Sequence, residues 1–154
     1  MQTLEGQCQC GAVRYRVHGE VLTVFACHCR ECQRQSASAF GMALWLRAAQ
    51  LTLLQGHVQR WQRATPSGRV MDCDFCPQCG TRLFHRSSGN GDVLSVKPGT
   101  VDNAPAWRPV AHIWTASAQA GWQPPDGVLC YPGNPPAWEP LLQAWRADAA
   151  CGQT

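Results

Sequence analysis

Three features of this chain predict a mainly β fold, stapled by bound metal and closed by a short C-terminal helix. Short runs alternate apolar and polar residues with the period of two that marks a half-buried strand. Glycine and proline punctuate the intervals between those runs. Seven of the ten cysteines gather in three tight clusters, Cys8-Gln-Cys10, Cys27-His-Cys29-Arg-Glu-Cys32 and Cys76-Pro-Gln-Cys79.

Taken in order, Val13-Arg-Tyr-Arg-Val17 places its apolar residues on one face and two arginines on the other. Val21-Leu-Thr-Val-Phe-Ala26 reads as a strand leading into the second cluster, and Glu31 to Gln35 as one helical turn after it. Further strands are expected at Phe40 to Leu46, Leu51 to Leu54, His57 to Trp61 and Arg69 to Phe75, with Gly56 and Pro66-Ser-Gly68 between them. Leu83 to His85, Val93 to Val96 and His112 to Trp114 complete the β set. From Gln123 to Pro140 there are six prolines, so that stretch is expected to be extended or coiled. After Pro140, the spacing of Leu141, Leu142 and Trp145 suits a short amphipathic helix. The expected organisation is a metal-binding β domain over residues 1–122, with residues 123–154 as a proline-rich extension and helix packed on it.

The chain of 154 residues has 45% hydrophobic and 15% charged residues, a globular composition with a sparsely charged surface. No apolar run approaches the ~18 residues of a membrane span, and the first residues carry no basic and apolar leader, so a cytoplasmic protein is expected. Thiols stay reduced in that compartment, which favours metal ligation over disulfides. The formal charge is +3 and almost all basic residues are arginines, Lys97 being the only lysine. There is no basic run of the kind that grips phosphate backbones, which argues against nucleic acid as a partner.

A thiolate set must converge on one cation about 2.3 Å away, and Cys-x-Cys or Cys-x-x-Cys turns supply two ligands each. Cys8 and Cys10 with Cys76 and Cys79 make a complete tetrahedron and, being soft donors, favour zinc. Such a centre would close a loop of over sixty residues and act as a folding crosslink. The alternative is that these are buried cysteines without a ligand. Cys27, Cys29 and Cys32 are one ligand short of a second tetrahedron. An open coordination position can do chemistry, whereas a closed one is structural. His28 or Cys73 could close it. Cys130 and Cys151 have no partner in the pattern.

Together the residues resemble the glutathione-dependent formaldehyde-activating enzyme family, also known as the centromere protein V domain family. The resemblance rests on Gly6-Gln-Cys8-Gln-Cys10-Gly-Ala-Val-Arg-Tyr15, on Cys27-His-Cys-Arg-Glu-Cys32-Gln-Arg34 with Phe40, on Phe75-Cys-Pro-Gln-Cys-Gly-Thr81, and on His112-Ile-Trp114 with Trp122. It implies an Mss4-like fold of small packed antiparallel sheets, a structural zinc at Cys8, Cys10, Cys76 and Cys79, and a second zinc at Cys27, Cys29 and Cys32. It also implies a carbon–sulfur lyase activity that condenses glutathione with formaldehyde to an S-hydroxymethyl adduct, or a related reaction on another thiol and aldehyde.

The chemistry suits the open site. Few free thiols ionise at neutral pH, and a metal fixes the thiolate form. A cation already bearing three thiolates is a weak Lewis acid, better placed to deliver a sulfur nucleophile than to polarise a carbonyl. Glutathione carries carboxylates, so Arg30 and Arg34 beside the second cluster are candidate substrate-binding residues, with Arg82 behind them. His112 is expected to be a packed residue, and Trp45 and Trp114 are candidates to line a pocket. Two other readings differ in class: a zinc-stabilised binding module without turnover, and a thiol sensor built on Cys27, Cys29 and Cys32.

Overall fold

The computed structural model describes residues 1–102 and 107–151, excepting the Cys151 side chain. Among the described residues, eleven strands and two α-helices follow one another: β1 (Gln2–Gln7), β2 (Arg14–Gly19), β3 (Thr23–Cys27), α1 (Arg30–Ser36), β4 (Gly41–Arg47), β5 (Leu51–Gln55), β6 (Gln59–Ala64), β7 (Val70–Phe75), β8 (Arg82–Ser87), β9 (Val93–Val96), β10 (Ala111–Ile113), β11 (Leu129–Cys130) and α2 (Glu139–Cys151). The expected mainly β class is what forms. No helix among the described residues is long and apolar enough to cross a membrane. The chain divides into two compact units, one of Met1–Val21 and Trp45–Pro105, the other of Leu22–Leu44 and Ala106–Thr154.

The first unit contains a three-stranded sheet in the order β1-β2-β5 and the antiparallel ladder β6-β7-β8-β9. On β2 the alternation is explicit: Tyr15 and Val17 are buried and Arg16 is exposed, paired with the cross-strand Glu5 at 2.6 Å. Tyr15 is the centre of this core. Its ring meets Phe84 edge to face at 5.0 Å, and its hydroxyl shares a 2.7 Å hydrogen bond with Thr100. Burial pushes the phenol up to about 12, so it stays neutral across any working pH.

In the second unit β3 is buried at all five positions, as expected of a central strand. Here the sheet order is β11-β10-β3-β4, and β10 runs parallel to both β3 and β11. This departs from the antiparallel expectation. A parallel partner needs a long connection, and the interval between Cys27 and Ala111 supplies one. Apart from β11, the proline-rich segment is coiled, and it is fastened to the end of β10 by Trp114 N–H to Gly133 O, Thr115 N–H to Tyr131 O and the Trp114 indole to Asn134. Helix α2 has Pro140 in its first turn. Leu141 is fully buried, its carbonyl accepts from Thr23, and Trp138 meets Phe25 at 5.4 Å.

Three strands were not anticipated where they form: β11, a two-residue strand inside the proline-rich stretch, and β1 and β6. Strand β1 has no apolar alternation, and its place is fixed by pairing with β2 from Gln2↔Gly19 to Gln7↔Arg14. Strand β6 starts later than expected and runs to Ala64, because its ladder with β7 continues to the turn at Thr65–Gly68. Its residues are exposed or partly so on both faces, so no hydrophobic period marks it.

Gly6 shows how tightly β1 is seated. A Cβ there would collide with the buried Tyr15 ring and with the Thr100 carbonyl. Gly6→Ala is therefore expected to cost about 1–3 kcal/mol, read from the denaturant midpoint. Gly99→Ala, where a Cβ meets nothing within 4 Å, is expected to stay within about 0.5 kcal/mol of the parent.

Candidate metal centres

In the first unit two turns bring four sulfurs together. The turn after β1 is held by Cys8 N–H to Val13 O and Gly11 N–H to Cys8 O, with Gly11 at φ 78°. The turn after β7 repeats the device with Cys76 N–H to Thr81 O and Gly80 N–H to Cys76 O, with Gly80 at φ 73°. Thr81 joins the two turns: its hydroxyl accepts from Gln9 N–H at 3.1 Å and bonds Cys79 Sγ at 3.1 Å. The Cys8, Cys10, Cys76 and Cys79 sulfurs all lie within 4.8 Å of one another, with Cys8 to Cys10 at 3.5 Å and Cys10 to Cys76 at 3.8 Å. Sulfurs at tetrahedral corners, each about 2.3 Å from a cation, stand about 3.8 Å apart. The set therefore fits a metal ion without rearrangement. The Thr81 hydroxyl and nearby backbone N–H groups bring the Cys79 thiol down to about 5, and Val13 N–H donates to Cys8 Sγ at 3.3 Å.

The second unit holds the triplet on one short segment. Cys27 ends β3, and Cys29 is the N-cap of α1, accepting from Cys32 N–H at 3.4 Å. Cys32 lies in the first turn of that helix. The three sulfurs lie within 4.8 Å of one another, and no further histidine, cysteine or carboxylate among the described residues joins them. Their charges are strongly coupled. The Cys27 and Cys32 thiols, and then backbone N–H groups at the start of α1, hold Cys29 down to about 2, while the Cys29 and Cys32 thiols and then burial push Cys27 up. Three thiolates this close repel unless a cation lies among them. An all-sulfur donor set suits a soft or borderline metal ion.

His28 does not face this group. Its Nε2 lies 2.9 Å from His112 Nδ1, its backbone N–H donates to Ile113 O, and its ring packs on Trp122 at 4.3 Å and Phe40 at 5.0 Å. Burial lowers both imidazoles, so the pair is neutral. His28 Nδ1 is buried without a hydrogen-bond partner. Cys73 belongs to neither sulfur group: it is fully buried on β7, with its thiol 3.8 Å from the Met71 carbonyl. Cys130 is exposed, and the Cys151 side chain lies outside the described residues.

Arg30 and Arg34 both line a cleft of about 430 Å³ together with Gln33, Ala37, Ser38, Ala39 and Gln119. Arg34 pairs with Glu31 at 2.9 Å, and Arg30 donates to Gln33 Oε1. Trp45 and Trp114 are not part of that lining. Gln33 escaped sequence reasoning. Its buried amide donates to the carbonyls of His28 at 2.7 Å and Ser117 at 2.8 Å, anchoring α1 to the triplet segment. The residue type gave no signal, because a glutamine after a cysteine motif reads as surface.

The family model for glutathione-dependent formaldehyde-activating enzyme matches residues 3–117. The chain belongs to that family, whose activity joins glutathione and formaldehyde chemistry. Among solved structures, a Rhodobacter sphaeroides protein determined in a structural-genomics programme is similar with a TM-score of 0.54 and 24% identity, covering 66% of this chain and 91% of that one. At that identity the likeness concerns the fold.

Each centre can be emptied separately. Purified protein is expected to carry metal at both sulfur groups. Cys76→Ser should lose one equivalent and, by releasing a crosslink spanning 66 residues, destabilise by on the order of 4 kcal/mol. Cys32→Ser should lose the other equivalent with a much smaller fall in melting temperature. Because the ligands are thiolates, acidification should release metal from both, protons displacing the ion. Metal analysis after buffer exchange at stepped pH checks this, and retention of full metal in Cys32→Ser would refute the second centre.

Proposed function

We propose that the protein is a zinc-dependent enzyme of carbon–sulfur lyase type that adds the thiol of glutathione to formaldehyde, or to another small aldehyde, and runs the reverse cleavage. The observation that carries this reading is the incomplete sulfur set: Cys27, Cys29 and Cys32 within 4.8 Å and no fourth ligand among the described residues. Family membership supports the substrates in general terms.

A zinc ion at this set would supply a coordination position that stabilises an incoming sulfur as thiolate at neutral pH. The chain's own residues do the rest. Cys29, as N-cap, has its sulfur fixed by Cys32 N–H, so the donor set is preorganised. Arg30 and Arg34 face the adjoining cleft, where guanidinium forks match the carboxylates of glutathione. Gln33 holds Arg30 and ties α1 down. In the reaction the sulfur lone pair forms the C–S bond, the carbonyl π pair moves to oxygen, and that oxygen takes the proton lost from the thiol. Nothing is oxidised or reduced. The same site without turnover would be a binding module, and activity separates the two.

Arg30→Gln and Arg34→Gln are expected to raise KM for glutathione about tenfold each, the loss of one charge-assisted contact, with kcat little changed. Cys29→Ser should abolish glutathione-dependent aldehyde loss while the metal at Cys8, Cys10, Cys76 and Cys79 stays bound. Undiminished turnover in Cys29→Ser would remove the triplet from the reaction.

A further inference from the structure

The ladder β6-β7-β8-β9 carries a second polar site that neither metal centre uses. Register places Trp61 opposite Cys73, Cys73 opposite His85 and His85 opposite Ser95. Directly paired residues project from the same face of a sheet, so these four form one row across four strands. Arg63 stands two residues beyond Trp61 on the same strand, and Lys97 two beyond Ser95 on extended backbone, which brings both to that face. Arg82 joins them through the register shift at Asp74/Phe75: its guanidinium donates to His85 Nε2 at 3.1 Å and lies 5.5 Å from the Trp61 ring centre.

The floor of this row is buried and its rim is open. Cys73 is fully buried and Ser95 is 9% exposed, while Trp61 is 49% exposed. Arg63, Arg82, His85 and Lys97 are partly exposed. Ser95 Oγ is buried and has no hydrogen-bond partner. Leaving a buried hydroxyl unpaired is costly, so a serine here calls for an acceptor that reaches it.

The charges on the two faces of the ladder are sorted. The acids of β7 point to the opposite face, where Arg60 takes Asp74 at 2.7 Å and Asp72 at 3.1 Å. Elsewhere in the unit Asp92 is paired with Arg47, and Glu5 and Asp102 with Arg14. On the row itself the charges acting on Cys73 and His85 are those of Arg63, Arg82 and Lys97. Burial, reinforced by Lys97, Arg82 and Arg63, holds His85 down to about 2 and therefore neutral. An arginine can only donate, so His85 Nε2 accepts and its proton sits on Nδ1. Burial keeps the Cys73 thiol protonated despite the cations. The face therefore presents donors: guanidinium, ammonium and hydroxyl. Three positive charges also make this face unfavourable for a metal ion, and Cys73 belongs to neither sulfur group.

We propose that the row Trp61, Cys73, His85 and Ser95, with Arg63, Arg82 and Lys97 around it, is a binding site for a small oxyanion, either inorganic phosphate or the carboxylates of a small organic acid. Arg82 is preorganised by His85 and the Trp61 ring and supplies its remaining N–H groups to the ligand. Arg63 and Lys97 add charge at the rim, and the Ser95 hydroxyl donates from the floor.

The test is titration of the metal-loaded protein with inorganic phosphate in one arm and succinate in the other, at ionic strength held constant with sodium chloride. The His85 ring and Trp61 indole resonances report binding. Saturable shifts of both with at least one anion are expected, and the tighter arm identifies the source of the oxyanion. Arg82→Gln should weaken binding about tenfold. Ser95→Ala should weaken it several-fold while leaving stability unchanged or raised, since the unpaired hydroxyl is gone. Arg86→Gln, whose residue pairs with Asp72 on the opposite face, should bind like the parent. The proposal is overturned by no saturable shift with either anion, by parent-like binding in both Arg82→Gln and Ser95→Ala, or by Arg86→Gln weakening binding as much as Arg82→Gln does.

Discussion

The convergence of four sulfurs from two distant turns is the constraint on which the first unit depends. Cys10 and Cys76 are separated by 66 residues yet sit 3.8 Å apart, and the four sulfurs are close enough together to hold one cation. Closing so long a loop has a large entropic cost, and binding a metal offsets it. Strand β1 has little apolar surface of its own, so its pairing with β2 and the crosslink at its end hold it. The buried Tyr15 and Phe84 then pack where that registration puts them.

The triplet differs in origin as well as in number. Its three sulfurs come from Cys27, Cys29 and Cys32, a strand end and the first turn of a seven-residue helix, so its formation is local and needs no long loop to close. Losing metal there removes a charge balance rather than a crosslink. Around it, buried neutral groups predominate. The His28–His112 pair, with Trp122 and Phe40, makes an aromatic wall behind the segment, and Gln33 pins the helix to both sides of it. Arg30, Gln33 and Arg34 of the same helix line an open cleft.

Legibility followed the range of the interaction. The two groupings of cysteines were readable because a Cys-x-Cys or Cys-x-x-Cys spacing already brings two sulfurs together. Strand β2, with one buried face, was readable from its period, and β3, buried throughout, from its apolar run. Strand β1 was not, and β6 was legible only as His57 to Trp61 and not to its end at Ala64, since both depend on the neighbour they pair with more than on their own pattern. The partner of His28 lies 84 residues away, and no spacing rule connects them. Cys73 shows the reverse problem. Proximity in sequence to Cys76 suggested a ligand, but strand alternation carried it to a cationic face. The parallel pairing of β10 likewise depends on a long-range connection that local alternation does not reveal.

The central claim is a division of labour: a closed sulfur set that holds the fold and an open one that carries the chemistry. A graded chelator titration tests it most directly, following metal content, far-UV circular dichroism and glutathione-dependent aldehyde loss on the same samples. The account predicts that the first metal released abolishes the activity with the β signal intact, and that the second takes the fold with it. Activity that survives the first loss, or a fold that survives both, would contradict it.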